Sequence, residues 1–156
     1  MSIEVYLNPP ESVAKALSDG IASFNRTTIP DLEPNEDEVR FHVVAWDGAE
    51  RVMGGSRGTC YWNTLHIELL WLSEDARGAG IGVQLIERAE AFAMAQGCEL
   101  ALVETTSWQA KPFYEKNGYM LMATLEGRPA GHASHYLRKR LGQSDELSTG
   151  EPPATA

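Results

Sequence analysis

Leu69-Leu70-Trp71-Leu72-Ser73-Glu74-Asp75-Ala76-Arg77-Gly78-Ala79-Gly80-Ile81-Gly82 is the stretch on which the reading of this chain turns. It begins as an apolar strand, passes through a glycine-rich loop and enters an amphipathic helix. Ile81, Leu85, Ala89 and Phe92 recur at helical spacing and predict a buried stripe, with Glu87, Arg88 and Glu90 toward water. Gly97 is suited to close that helix as its C′ residue. A strand-to-helix junction of this kind presents backbone N–H groups and the positive end of a helix dipole to an anion.

Upstream, Phe41, Val43 and Ala45 alternate up to Asp47-Gly48, a hairpin signal. A second strand is predicted over 51–62, broken at Asn63, and a third over 64–72. These form an antiparallel meander. Farther upstream, Ile3, Val5 and Leu7 alternate as a short strand. After Pro9-Pro10, the spacing of Val13, Leu17, Ile21 and Phe24 predicts a helix over 10–25. Downstream, a strand is predicted over 99–106, a short helix over 112–116, and a final pair of strands over 119–125 and 135–141. This order predicts an α/β fold with a mixed sheet, antiparallel early and with one parallel crossover through the long helix. Residues 1–141 read as one domain, and 142–156 as a disordered acidic tail of Ser, Thr, Pro and Gly.

At 156 residues the chain can bury a sizeable core, and its 43% hydrophobic and 22% charged content is that of a globular protein. No apolar run reaches the roughly 18 residues needed to cross a bilayer, and the first residues carry no signal-peptide pattern. The expectation is a cytoplasmic protein without a membrane partner. Cys60 and Cys98 sit in apolar surroundings and read as reduced core residues. The formal net charge of −9 argues against nucleic acid as a partner. Asp31, Glu33, Glu36, Asp37 and Glu38 make an acidic stretch compatible with a cationic substrate, although such stretches are usually only solvated.

Four other readings of the motifs fail or rank low. A dinucleotide fingerprint needs glycine where Val83 stands, and a nucleotide-triphosphate loop needs Gly-Lys-Ser/Thr. Asp31, Glu33 and Asn35 loosely follow a calcium loop, but Glu36 and His42 occupy positions that need Gly and Glu. No His/Cys cluster has metal-site spacing, so no metal is expected. Gly54-Gly55-Ser56-Arg57-Gly58 fits a serine-hydrolase elbow, with Glu104 and His132 following in order. The elbow must join a strand to a helix, however, and Thr59-Cys60-Tyr61-Trp62 continues as strand.

Arg77-Gly78-Ala79-Gly80-Ile81-Gly82 resembles the Arg/Gln-x-x-Gly-x-Gly/Ala motif of the GNAT N-acetyltransferases. Leu70-Trp71-Leu72 is similar to the family's fourth strand, and Phe113-Tyr114-Glu115-Lys116-Asn117-Gly118-Tyr119 to its Tyr-Glu-x-x-Gly-Phe/Tyr segment. The resemblance covers about residues 40–141. His66-Ile67-Glu68-Leu69-Leu70-Trp71, Ser107-Trp108-Gln109-Ala110 and Gly131-His132 resemble one bacterial branch. The resemblance implies a largely antiparallel sheet splayed at the cofactor site and flanked by helices. It also implies acetyl-CoA as co-substrate, a small-molecule or peptide amine as acceptor, and a homodimer. The pantetheine would pair with backbone at Leu70, Trp71 and Leu72, and the pyrophosphate with N–H groups of Arg77, Gly78, Ala79, Gly80, Ile81 and Gly82. Glu74 stands where the family often has Pro, and it and Asp75 must face away from the phosphates.

An amine acceptor is mostly ammonium at neutral pH and must lose a proton before attacking a thioester. His66 and Glu68, two apart on a strand, are predicted to share a face. By the resemblance, both stand where the family places a base or water relay. Glu68 is the favoured base, with His66 as partner or alternative and Glu104 as a second candidate. Each also has a structural reading: His66 as a half-buried strand histidine, and Glu68 and Glu104 as hydrogen-bond acceptors. Tyr114 matches the family tyrosine that protonates the leaving thiolate, and Gln109 falls near an Asn that helps hold the cofactor. His132 and His135 read as surface histidines. The expected activity is direct transfer of acetyl from acetyl-CoA to a primary amine in a ternary complex. The alternatives are an acyl-CoA sensor without turnover, or a hydrolase using Ser56.

Overall fold

The computed structural model describes residues 1–48 and 50–142, so the expected tail lies, apart from Gly142, outside the described residues. The chain divides into two compact units, Met1–Glu38 and a second beginning at Val39. In the first, helix α1 spans Glu11–Thr28 and a 3-10 turn spans Asn35–Asp37. Helix α1 runs three residues beyond its predicted end, where Thr27 and Thr28 donate their hydroxyls to the carbonyls of Ser23 and Phe24. The strand expected around Ile3–Leu7 is not formed. Alternation states only which face a strand would present. A strand also needs a neighbouring edge for its backbone groups, and these residues have none among those described.

The second unit carries a six-stranded sheet: β1 Val39–Trp46, β2 Val52–Tyr61, β3 Thr64–Leu72, β4 Leu100–Thr106, β5 Met120–Glu126 and β6 Ala133–Arg140. Helix α2, Ile81–Ala95, links β3 to β4, and α3, Lys111–Lys116, links β4 to β5. The spatial order is β1-β2-β3-β4-β6-β5. Every neighbouring pair is antiparallel except β3 and β4. The meander and the parallel crossover follow the sequence reading. The insertion of β6 between β4 and β5 does not, because strand order is set by long-range pairing.

Local chemistry accounts for the turns. Asp47 accepts the Arg51 N–H on its side chain at 3.0 Å and closes the first hairpin. Trp62 and Asn63 both have positive φ (47° and 51°), the backbone of a tight two-residue hairpin between β2 and β3. At the end of α2, Cys98 N–H bonds to Ala93 C=O and Gly97 N–H to Met94 C=O, with Gly97 at φ 88°. This is the six-to-one and five-to-two closure expected of glycine at C′.

Leu85, Ile86, Ala89, Glu90 and Ala93 form the buried face of α2. With Leu65, Ile67, Ala101, Val103, Tyr114, Tyr119 and Leu137 they make the core. Two details of the predicted stripe are corrected. Phe92 is 36% exposed and packs against Phe41, with ring centroids 4.3 Å apart. Glu90 is buried instead of solvated, because it accepts bonds from Tyr119 Oη at 3.0 Å and from Lys139 Nζ at 2.9 and 3.0 Å. An apolar count along a helix cannot register a carboxylate whose partners arrive from distant strands. Cys60 and Cys98 are buried thiols, as expected.

Candidate active site

Strands β3 and β4 pair from Thr64↔Leu100 to Ile67↔Val103 and then separate. Glu68–Leu72 and Glu104–Thr106 therefore diverge. On its other side β3 remains bonded to β2, with Leu70↔Ser56, Trp71↔Gly55 and Leu72↔Gly54. The edge of Leu70, Trp71 and Leu72 that faces the splay pairs with no strand among the described residues. That edge offers backbone donors and acceptors to an extended amide-bearing group.

The glycine loop begins where β3 ends. Gly78 and Gly80 have φ of 79° and 75°, and a Cβ at either would meet no heavy atom within 4 Å. A non-glycine residue in this left-handed region costs about 1–2 kcal/mol. Gly80 is the N-cap of α2, and no side chain caps the first turn, which leaves its N–H groups without a side-chain acceptor among the described residues. Gly82 does a different job. A Cβ there would lie 3.2 Å from the Phe113 ring and 3.3 Å from Leu72 Cδ1, so this glycine seats α2 against its neighbours. Asp75 is turned into a surface network, with Arg51 Nη2 at 2.5 Å and Ser73 Oγ at 2.6 Å. The Ser73 hydroxyl and the Arg51 guanidinium hold its carboxyl below the ordinary range. Arg77 reaches back to the Leu72 carbonyl at 3.5 Å.

A cleft of about 440 Å³ lies in this unit, lined by Arg57, His66, Ile67, Glu68, Glu104, Thr106 and Gln109. His66, Glu68, Glu104 and Gln109 are thus brought together; the spacing of His66 and Glu68 predicts their shared side, and the fold adds Glu104 and Gln109. A bulge lies at this point of the sheet. Gly58 pairs with Ile67 but Arg57 pairs with Leu69, which leaves Glu68 as the extra residue.

Arginines hold both carboxylates, which the sequence reading missed. Arg57 Nε lies 2.5 Å from Glu68 Oε2, and Arg40 Nη2 lies 3.9 Å from Oε1. Arg128 Nη1 bonds Glu104 Oε1 and also donates to Tyr136 Oη, the latter at 2.7 Å. Only an isolated polar residue in the small-residue run of β2 hinted at Arg57. Its pairing depends on register. The His66 side chain is exposed, and its imidazole makes no hydrogen bond or ion pair among the described residues. Gln109 is spent locally, its Oε1 accepting the Thr106 N–H at 3.1 Å.

Tyr114 is not part of the cleft lining. It is 4% exposed, in the core, with its ring 5.4 Å from Phe113 and 5.5 Å from Tyr119 between centroids. Burial pushes its phenol up to about 12, so it stays protonated at neutral pH. His132 and His135 bond Ser107 Oγ and Thr124 Oγ1. The hydrolase alternative is overturned: Ser56 lies within β2, is 3% exposed and joins no helix. Glu104 and His132 are engaged with Arg128 and Ser107.

The profile of the GNAT acetyltransferase domain matches residues 38–121. The chain is 37% identical over 132 residues to blasticidin-S acetyltransferase of Streptomyces morookaense, covering 84% of this chain and 95% of that protein. The chain belongs to the GNAT acetyltransferase family. It is an acyltransferase. A crystal structure of an acetyltransferase from Bacillus cereus matches with TM-score 0.74 and 30% identity, over 88% of this chain and 98% of that one. An aminoglycoside 6'-N-acetyltransferase solved with coenzyme A shares the fold alone, at TM-score 0.59 and 16% identity, over 90% of this chain and 100% of that one. No helix among the described residues is long and apolar enough to cross a membrane.

Proposed function

We propose that this GNAT acyltransferase moves an acetyl group from acetyl-CoA to the primary amine of a small molecule. The observation that carries the reading is the splay between β3 and β4, which opens beside the glycine loop and onto the cleft with His66, Glu68 and Glu104. The residues present fit the cofactor. The unpaired edge of Leu70, Trp71 and Leu72 suits a pantetheine amide, and the open N–H groups at Gly78, Gly80 and Ile81 suit a pyrophosphate. Hydrogen bonds to a charged partner contribute about 1.5–3 kcal/mol each. Several of them let an acidic chain hold an anion. Acetyl-CoA supplies the activated acyl group.

In this reading His66 takes the proton from the acceptor ammonium. Supporting His66 over Glu68 is the pairing of Glu68 with two guanidiniums, while the His66 imidazole is exposed and uncommitted. Imidazole is also the side chain that ordinarily exchanges a proton near neutrality. Tyr114 Oη holds the proton destined for the departing sulfur. The resemblance of Phe113–Tyr119 to the family segment supports that role, and the phenol is protonated at neutral pH. The name of the Streptomyces relative supports a small-molecule acceptor.

A thiol-release assay with acetyl-CoA across an amine panel tests the proposal. Acetyl-CoA-dependent thiol release with at least one amine, and a matching N-acetylated product, is expected. Acetyl-CoA binding with no release on any amine would replace the proposal with an acyl-CoA sensor.

A further inference from the structure

The cleft lining carries one guanidinium, Arg57, and two carboxylates, Glu68 and Glu104, each of which is paired with an arginine. Glu68 carries Arg57 and Arg40, and Glu104 carries Arg128. A bare ammonium entering the cleft finds both carboxylates already paired. Arg57 is different. It commits Nε to Glu68, its side chain is 40% exposed, and its Nη groups make no further hydrogen bond among the described residues. A guanidinium has five N–H donors arranged as a planar fork that matches a carboxylate. Glu68 beneath fixes the fork in place, at a bulge where β3 departs from regular pairing.

Register places this fork beside the proposed base. His66 pairs with Thr59, and Arg57 lies two residues along β2 on the same face. Such diagonal neighbours sit on the order of 7–8 Å apart, and both side chains line the one cleft. We infer that Arg57 is a specificity-determining residue that receives a carboxylate of the acceptor, so that the enzyme acts on amines that are also carboxylates. The inference rests on the proposed acetyl transfer at this cleft. It departs from the acidic balance of the whole chain, whose net charge of −9 is compatible with a cationic substrate.

Matched acceptors test it. Lysine is compared with cadaverine, and β-alanine with ethylamine, in kcat/KM on the wild type, Arg57→Gln and Arg57→Lys. Binding of N-acetyl-β-alanine to the CoA-loaded protein is measured by calorimetry in parallel and needs no turnover. The carboxylate-bearing member of a pair is expected to be favoured by about ten- to hundredfold, the scale of a charge-assisted contact. Arg57→Gln removes that preference and the calorimetric signal, and Arg57→Lys keeps part of both. Equal use of the paired amines, a preference that survives Arg57→Gln, or no binding of N-acetyl-β-alanine to the wild type would overturn the inference. The affinity for acetyl-CoA in the same samples separates the two levels. Its absence in the wild type would count against the acetyltransferase proposal itself.

Discussion

Two titratable residues in the second unit carry the proposed proton transfers from contrasting surroundings. His66 is exposed on β3, and Tyr114 is 4% exposed in the core. A positioned acid or base contributes typically about 10²–10⁴-fold. His66→Gln is therefore expected to lower kcat by about that factor, with acetyl-CoA affinity retained. Glu68→Gln should cost less, since Glu68 orients Arg57. The reverse order in steady-state rates would return the base to Glu68. Tyr114→Phe keeps the ring packing against Phe113 and Tyr119 while deleting the hydroxyl. A fall in kcat of about tenfold or more at unchanged acetyl-CoA affinity is expected, and an unchanged kcat would leave Tyr114 as a core aromatic. The sequence supplied both residues through their motifs. It could not supply the arginines on Glu68 and Glu104, because those contacts span 11 and 24 residues and arise only from strand register and a hairpin.

At the scale of the element, α2 serves two functions, one at its N-terminus and one in its middle. Its N-terminus opens toward the splay through Gly78 and Gly80, while Gly82 seats the helix against Leu72 and Phe113. Gly80→Asp would set a carboxylate against the same first-turn N–H groups. Acetyl-CoA affinity is expected to fall by about a hundredfold or more in a calorimetric titration, with the circular dichroism of the fold retained. Farther along the helix, Glu90 ties α2 to Lys139 on β6 and to Tyr119 beside β5. Glu90→Ala leaves a partly buried ammonium and a buried phenol without their acceptor. Denaturant unfolding should record a loss of about 1.5–3 kcal/mol. A loss below half a kilocalorie would mean that water replaces the carboxylate. Glycine spacing made the open end of the helix legible, whereas the polar tie in its middle looked like a solvated residue.

For the whole molecule, the buried tyrosines set a limit at alkaline pH. Burial raises Tyr114 from 10.0 to about 12, and it raises Tyr119 as well, with the Glu90 carboxylate adding to the effect. A phenol whose folded value lies above its unfolded value keeps its proton longer in the folded state. The stability this represents is complete below pH 10 and is lost as pH rises from about 10 to about 12. Denaturant midpoints should therefore fall across that window, and more shallowly in Tyr114→Phe than in the wild type. A slope identical in the two proteins would show that Tyr114 ionises normally. The same burial keeps the Tyr114 phenol protonated at neutral pH.

The sequence by itself determined the class of the fold, the antiparallel meander, the crossover helix and the loop that can receive an anion. Each of these is written in local periodicity or in glycines with a required backbone conformation. It also put His66 and Glu68 on one face of β3 through their spacing of two residues. Tertiary structure alone decided that Ile3–Leu7 is not a strand, that Glu90 is buried and that β6 runs between β4 and β5. Only tertiary structure put an arginine on each carboxylate of the cleft. Backbone pairing and charge pairing are satisfied by partners many residues away, and no local pattern along the chain names those partners.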